Sequence, residues 1–336
     1  MQTFQKTSRT EYFDFLRGIA IIMVVSIHTF GQAYNYNNIS FPAVFLGQIF
    51  NCAVPLFCVS SAFFLIKKEW TVENLRKRIL RVYIPLIIFS LPYFLQDVIS
   101  DQNLLKSLFK LFFGGYSIYY FVALIVQFYI LLPLFKRFKL FRNIIVMGFA
   151  SLLWVFIYTY FIQFKHSLPL LLYGGPILCF IVYFSLGTSM QLDNKKSSVN
   201  ICLVLLGIGV SLCASCAESY FIMEKTNSLS GSGLKPSAVL FSIFISSLLY
   251  SDFCSGKYLS NKITKFFSDL GRCSYGIYLL HIYCIQLINK FLKNYFIGGG
   301  LLYWIIYTLI VLLISYAVLY IVKGLMPKFS RICIGV

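Results

Sequence analysis

From Gly18 to Ile66 the chain runs 49 residues without a single Asp, Glu, Lys or Arg. A bilayer is the solvent that suits such a run, because about 20 apolar residues in a helix cross the ~30 Å of hydrocarbon. A polar segment from Gln32 to Pro42 splits the run into two crossings, near 13–32 and 43–66. Further low-charge runs lie near 82–99, 116–135, 143–163, 168–190, 199–220, 237–253, 273–292 and 300–322, of which 82–99 and 237–253 are short for a crossing. Within hydrocarbon only helices or closed barrels satisfy every backbone group, and runs of this length read as helices. The expected fold class is therefore all-α, a polytopic transmembrane helical bundle of about ten spans. A single domain over residues 1–336 is expected. The longest connections, around 223–236 and 254–272, are too short for a separate soluble unit, and no internal repeat is visible.

Composition agrees. Charged residues make up 12% of the chain, against roughly 25% in soluble proteins. Many of the 35 Phe and 24 Tyr fall near the ends of apolar runs, where rings suit the headgroup level. The net charge of +18 would suggest nucleic acid in a soluble chain, but the basic residues sit in short loops and read as topology signals. With the N-terminus inside, inner segments hold 21 of the 29 cations: Lys6 and Arg9; Lys67, Lys68, Arg76, Lys77, Arg78 and Arg81; Lys136, Arg137, Lys139 and Arg142; Lys195 and Lys196; Lys257, Lys262, Lys265 and Arg272; Lys323, Lys328 and Arg331. Outer segments hold 7, namely Lys106, Lys110, Lys165, Lys225, Lys235, Lys290 and Lys293. This bias places both termini in the cytoplasm. The first apolar run carries Asp14 and Arg17, so it does not read as a cleavable signal peptide. Most of the 10 Cys lie inside apolar runs. They read as small packing side chains, Cys213 and Cys216 included, despite a spacing that also suits redox or metal chemistry.

Charge inside hydrocarbon is costly and asks for a reason. Arg17 and His28 are 11 residues apart in the first span. At about 100° per residue that is three turns plus ~20°, so both occupy one stripe, about 16 Å apart along the axis. Asp14, three residues before Arg17, can pair with it on the same face. Taken singly, Arg17 fits a snorkelling anchor and His28 a packing histidine; the aligned trio fits a site better. Imidazole can take a proton from a hydroxyl at neutral pH, and a guanidinium offers fixed charge to a phosphate or a developing oxyanion.

Two further clusters stand out. Arg76, Lys77, Arg78 and Arg81 abut the third span. They suit either anchoring at acidic lipid headgroups or phosphates of a nucleotide-bearing donor. The stretch Gly271-Arg-Cys-Ser-Tyr-Gly-Ile-Tyr-Leu-Leu-His281 carries a second His into a span, with Ser274 seven residues earlier on nearly the same face. His281 by itself reads equally well as a core histidine. His166, beside Lys165 in a short outer loop, reads as solvated.

On these residues the chain resembles the acyltransferase-3 family of bacterial membrane acyltransferases. Phe13-Asp14-Phe15-Leu16-Arg17-Gly18, followed by His28, is similar to that family's first-span signature. Val54-Pro-Leu-Phe-Cys-Val-Ser-Ser-Ala-Phe-Phe-Leu65 resembles its second-span segment, with Ser61 where Gly is usual. Arg76 to Arg81 resembles its basic inner loop. Tyr119-Tyr-Phe through Tyr129 to Pro133 resembles its fourth span, and Ser274-Tyr-Gly-Ile-Tyr-Leu-Leu-His281 its late element. The likeness covers about residues 11 to 322. It implies transfer of an acyl group, commonly acetyl from acetyl-CoA, to a sugar hydroxyl of a lipid-linked or surface glycan. Without an appended esterase-like domain, the chain is similar to stand-alone O-antigen and surface-polysaccharide O-acetylases of the bacterial inner membrane.

The site expected on that basis has His28, Arg17 and Asp14 as catalytic residues. Arg76, Lys77, Arg78 and Arg81 hold the phosphates of acetyl-CoA, the donor co-substrate, and Ser60, Ser274, Tyr275 and His281 support. Partners are the bilayer, acetyl-CoA and the glycan acceptor; neither a metal nor nucleic acid is expected. His28 would take the proton of the sugar hydroxyl as its oxygen attacks the thioester, directly or through an acyl intermediate, and succinyl or a longer chain could replace acetyl. The competing class is a flippase or transporter for a lipid-linked glycan, with the buried charges lining a path. A polysaccharide polymerase, the third option, usually carries a large outer loop, and none is visible.

Overall fold

A computed structural model describes residues 2–34, 39–166, 168–192, 200–226, 233–251, 254, 258–296, 300–330 and 334; the side chains of residues 2–10 and 292–296 are not among them. Of the loop cations that orient the chain, Lys195, Lys196, Lys257 and Arg331 lie outside the described residues, as do the side chains of Lys6, Arg9 and Lys293. The described residues form helices and turns without strands. Among the described residues, seven helical segments are long and apolar enough to cross a membrane: Glu11–Ala33, Phe41–Leu65, Val72–Ile99, Tyr120–Arg137, Ile144–Ile162, Ile201–Thr226 and Gly300–Leu325. The chain is an all-α, multi-pass membrane protein.

Ten crossings were expected, and the other three take different forms. The stretch 237–253 gives a 14-residue helix, Pro236–Leu249. The stretch 273–292 gives a 23-residue helix, Ser274–Phe296, whose sequence carries His281, Gln286, Asn289 and Lys290. The stretch 168–190 is broken, because Gly174-Gly175-Pro176 cannot continue a helix. The run 82–99, short in the sequence, gains length from its basic prelude: Thr71 caps the helix by accepting from the Asn74 N–H at 3.1 Å, so the helix starts at Val72 and includes all four cations.

The chain divides into two compact units, Met1–Ser60 with Asp193–Tyr320, and Ser61–Leu192 with Ile321–Val336. The first unit contains α1 (Gln2–Ala33), α2 (Phe41–Phe50) and the start of α3 (Ala53–Leu65). The second holds α4 (Val72–Ile99), α5 (Leu104–Phe113), α6 (Tyr120–Arg137), α7 (Ile144–Ile157), α8 (Leu170–Gly174) and α9 (Ile181–Leu192). The first unit resumes with α10 (Ile201–Thr226), α11 (Pro236–Leu249), α12 (Lys262–Arg272), α13 (Ser274–Phe296) and most of α14 (Gly300–Leu325).

In the second unit the break between α8 and α9 is healed by side chains. Gln127 of α6 donates its Nε2 to the Gly175 carbonyl at 2.7 Å and accepts the Ile177 N–H at Oε1, 3.0 Å away. Ser151 of α7 donates to the Leu178 carbonyl at 2.9 Å. Backbone groups freed from a helix have no water to turn to in hydrocarbon, and these side chains take its place.

In the first unit α1 is the central element, packing on α2, α12 and α13. Its closest neighbour is α12, which is amphipathic and begins with a capping box in which Asn261 and Thr264 each bond the other's backbone N–H. Gly18 on α1 and Gly271 on α12 let two backbones meet. A Cβ at Gly18 would stand 1.9 Å from the Phe267 carbonyl oxygen, and one at Gly271 would stand 1.8 Å from that of Asp14. No other residue fits at either position without moving a helix.

Candidate active site

The expected stripe on α1 is present, and each end meets its own set of partners. At the Arg17 end, the guanidinium donates to the Asp14 carboxylate. Arg272, the last residue of α12, brings its Nη1 to 4.0 Å from the other Asp14 oxygen and also pairs with Asp269. Asp14 is 7% exposed, so it is a nearly buried carboxylate bracketed by two guanidinium groups. The Arg17 side chain is 32% exposed and that of Arg272 55%. Both cations therefore keep a face open to an anion while Asp14 holds them in place. The glycine contact positions this group, since it brings the Asp14 backbone against α12.

At the other end His28 is half-buried and its ring faces that of His281, the centroids 5.4 Å apart and the planes at 39°. His281 is wholly buried. Its Nδ1 lies 3.0 Å from the Ile277 carbonyl oxygen, an acceptor only, so in the neutral ring Nδ1 carries the proton and Nε2 offers its lone pair. That Nε2 is buried without a hydrogen-bond partner among the described residues, and Tyr278 adds a tilted ring contact to His281 at 6.3 Å. A buried polar atom left unpaired is expensive, and a ligand hydroxyl or a water would relieve it.

Polar contacts continue around this end. The Thr29 and Thr308 hydroxyls bond at 2.7 Å, and Trp304 donates to the Ser26 carbonyl at 2.9 Å. One turn beyond His28, Asn289 donates to Gln32 at 2.9 Å and accepts from the Tyr307 hydroxyl at 2.7 Å. α1, α13 and α14 are thus tied together on the imidazole side by uncharged groups.

The supporting residues separate. Ser274 is buried at the start of α13, two turns before His281 on that helix, and Tyr275 stacks on Tyr278 at 6.4 Å. Ser60 is taken up in packing: its hydroxyl bonds that of Tyr250 at 2.6 Å, and Tyr250 in turn donates to the Leu56 carbonyl at 2.8 Å.

In the second unit the four cations of α4 make different contacts. Lys77 pairs with Glu73 at 2.5 Å, both side chains exposed, and Arg76 is exposed. Arg78 donates to the Glu69 carbonyl at 3.1 Å. Together with Arg81 it lies within electrostatic range of Tyr129 on α6. Lys136 lies near Arg78 as well and donates to the Lys68 carbonyl at 2.5 Å. An anion meeting this surface would find Arg78 and Arg81 together, with Lys136 beside Arg78.

Arg272 went unrecognised as a member of the site, although it stands inside the Gly271-to-His281 stretch; its positive-inside count hid a second use. Gln48 and Asn51, in the same unit, carry no signal beyond being polar in or beside apolar runs, and Lys235, which reads as an outer-loop cation, is wholly buried.

No curated protein and no solved structure shows significant similarity to the chain. A family model does: Acyl_transf_3, described as an acyltransferase domain, matches residues 10–320. That match takes in both ends of the α1 stripe, the basic start of α4 and the whole of α12 and α13, and the chain accordingly belongs to the acyltransferase-3 family of membrane acyltransferases.

Proposed function

We propose that this membrane acyltransferase moves an acetyl group from cytoplasmic acetyl-CoA to a sugar hydroxyl of a lipid-linked or surface polysaccharide, such as O-antigen, in the bacterial inner membrane. The observation that carries the reading is the α1 stripe, with a braced guanidinium at one end and a paired imidazole about 16 Å further along. That offset suits a thin, extended donor arm entering past Arg17 and an acceptor waiting at His28.

In this mechanism His28 accepts the proton of the sugar hydroxyl as its oxygen bonds to the thioester carbonyl carbon. The carbon–sulfur bond then breaks, and the departing thiolate takes the proton back from His28, so ester and free thiol form with protons balanced. His281, whose ring faces that of His28, offers a lone pair at Nε2, because Nδ1 is committed to Ile277. It orients the hydroxyl or an intervening water. Arg17, held by Asp14, guides the donor arm or polarises its carbonyl. Arg78 and Arg81 supply the phosphate contacts, with Arg76 and Lys77 contributing more diffuse attraction.

Membranes containing the protein, incubated with radiolabelled acetyl-CoA and an undecaprenyl-linked glycan, test this directly. Label is expected in the glycan. Glycan that crosses the membrane unlabelled would replace transfer with transport. Label lost from acetyl-CoA but absent from glycan would remove the sugar acceptor from the reading.

A further inference from the structure

A second polar site lies within the same unit, on another face of α1. A cavity of about 70 Å³ is bounded by Ile27 and Phe30 of α1, Gly47 and Gln48 of α2, and by Asn51, Gly233 and Trp304 among others. Behind its wall sits Lys235, wholly buried just before α11. The Lys235 ammonium donates to Gln48 Oε1 at 2.7 Å and to the Ser219 hydroxyl. Glu218 lies nearby and is engaged with the Ser237 backbone N–H at 3.1 Å. No carboxylate among the described residues comes within ion-pairing distance of Lys235. Burial pushes its pKa down to about 7, against the opposing pull of Glu218.

Removing an ammonium from water is expensive unless its protons find partners. What this one does is visible in its partner. Gln48 Oε1 accepts from Lys235, from Ser215 at 3.0 Å and from Asn51 Nδ2 at 3.0 Å. Three donors converging on one oxygen fix which way the carboxamide points. The network leaves over the Nε2 amino group of Gln48, a donor, and the Oδ1 of Asn51, an acceptor, both on residues of the cavity wall. Gly233 keeps the Asn51 oxygen uncovered, since a Cβ there would press on it at 3.2 Å. Trp304 and Phe30, in edge contact at 5.1 Å, supply the apolar part of the wall.

A donor and an acceptor side by side beneath an aromatic wall suit a neutral hydroxyl on a carbon ring, which both gives and takes a hydrogen bond while its C–H face meets the rings. We propose that this cavity is a sugar-hydroxyl subsite of the acceptor, read by Gln48 and Asn51, with Lys235 as the positioning residue that locks Gln48. The inference rests on the glycan-acceptor reading above and narrows it: the part of the acceptor bound here is uncharged.

The decisive variant is Gln48→Glu. It retains the acceptor toward Lys235, Ser215 and Asn51, replaces the amino donor by an oxygen that can only accept, and adds a negative charge that the Lys235 ammonium balances. Lys235→Met is the second, since it frees the carboxamide to turn. Protein in lipid nanodiscs, free of sugar-based detergent, is titrated with methyl glucoside, galactoside and mannoside and their monodeoxy counterparts. Quenching of Trp fluorescence is followed, with Trp304 as the reporter in the cavity wall. The wild type should show saturable binding that one deoxy substitution weakens, and both variants should bind about tenfold more weakly. In the transfer assay the variants should raise the acceptor KM by a similar factor and leave the KM for acetyl-CoA unchanged, a split that a merely structural lysine would not produce. Binding of no glycoside by the wild type, or equal binding by wild type and Gln48→Glu, overturns the proposal. Glycoside binding that depends on Gln48, without label transfer by the wild type, keeps the subsite and removes the acetyl-transfer reading instead.

Discussion

The two ends of the α1 stripe solve the same problem by opposite means. At Arg17, charge is met with charge: Asp14 sits between two guanidinium groups, and a glycine-to-glycine backbone contact holds the arrangement. At His28, imidazole faces imidazole, and the uncharged side chains of threonine, asparagine, tyrosine and tryptophan make the hydrogen bonds of the surroundings. The difference follows from solvation. The Arg17 and Arg272 side chains keep partial access to water, whereas the wholly buried His281 is held at tolerable cost only if neutral. In the proposed mechanism, one end holds a fixed charge and the other lets a proton come and go.

The largest effect that would sharpen this contrast is at the neutral end. His28→Ala should lower kcat for transfer by about 10²–10⁴ while leaving thermal unfolding in nanodiscs unchanged; full activity would remove the proton-transfer role. Next comes Arg17→Lys, which retains charge and loses the planar fork. A fall of about 10–100-fold in kcat/KM is expected, and activity equal to wild type in both Arg17→Lys and Arg17→Ala would break the comparison at its charged end. Gly18→Ala or Gly271→Ala should cost about 1–3 kcal/mol or more in stability, read as an earlier melt with activity lost alongside. Tolerance of either alanine would mean that the backbone contact does not hold Asp14. The smallest change belongs to Arg272→Gln. Its side chain is half exposed, so about a two- to fivefold rise in the KM for acetyl-CoA is expected, and this should shrink further at high salt.

Much of the charged end was legible because its pieces are local. Asp14, Arg17 and His28 share one helix, and the helical repeat alone places them on a stripe. Arg272 is 258 residues away from Asp14 in the chain, and no periodicity reports a contact of that kind. The same holds for Ser60, which the packing spends on Tyr250, and for the partners of Gln48, drawn from α10 and from the turn before α11. The four cations of α4 read as a cluster because they are neighbours in sequence; on a helix, successive residues diverge by 100° each, and their partners differ accordingly, Glu73 for Lys77 and the Glu69 carbonyl for Arg78. Span lengths were misjudged where composition spoke louder than backbone chemistry. The stretch 168–190 is apolar enough to cross, yet its Gly-Gly-Pro sequence interrupts the helix, and Thr71 starts α4 ten residues ahead of its apolar run.

The carboxamide of Gln127 gives the second unit a direction in time. It serves as a borrowed peptide group, answering the Gly175 carbonyl and the Ile177 N–H where the helix gives way. During synthesis α6 leaves the ribosome before the interrupted segment does, so the segment can enter the bilayer beside a template already waiting for it. Were the order of these two segments reversed along the chain, the break would have to enter lipid first with its amide and carbonyl bare.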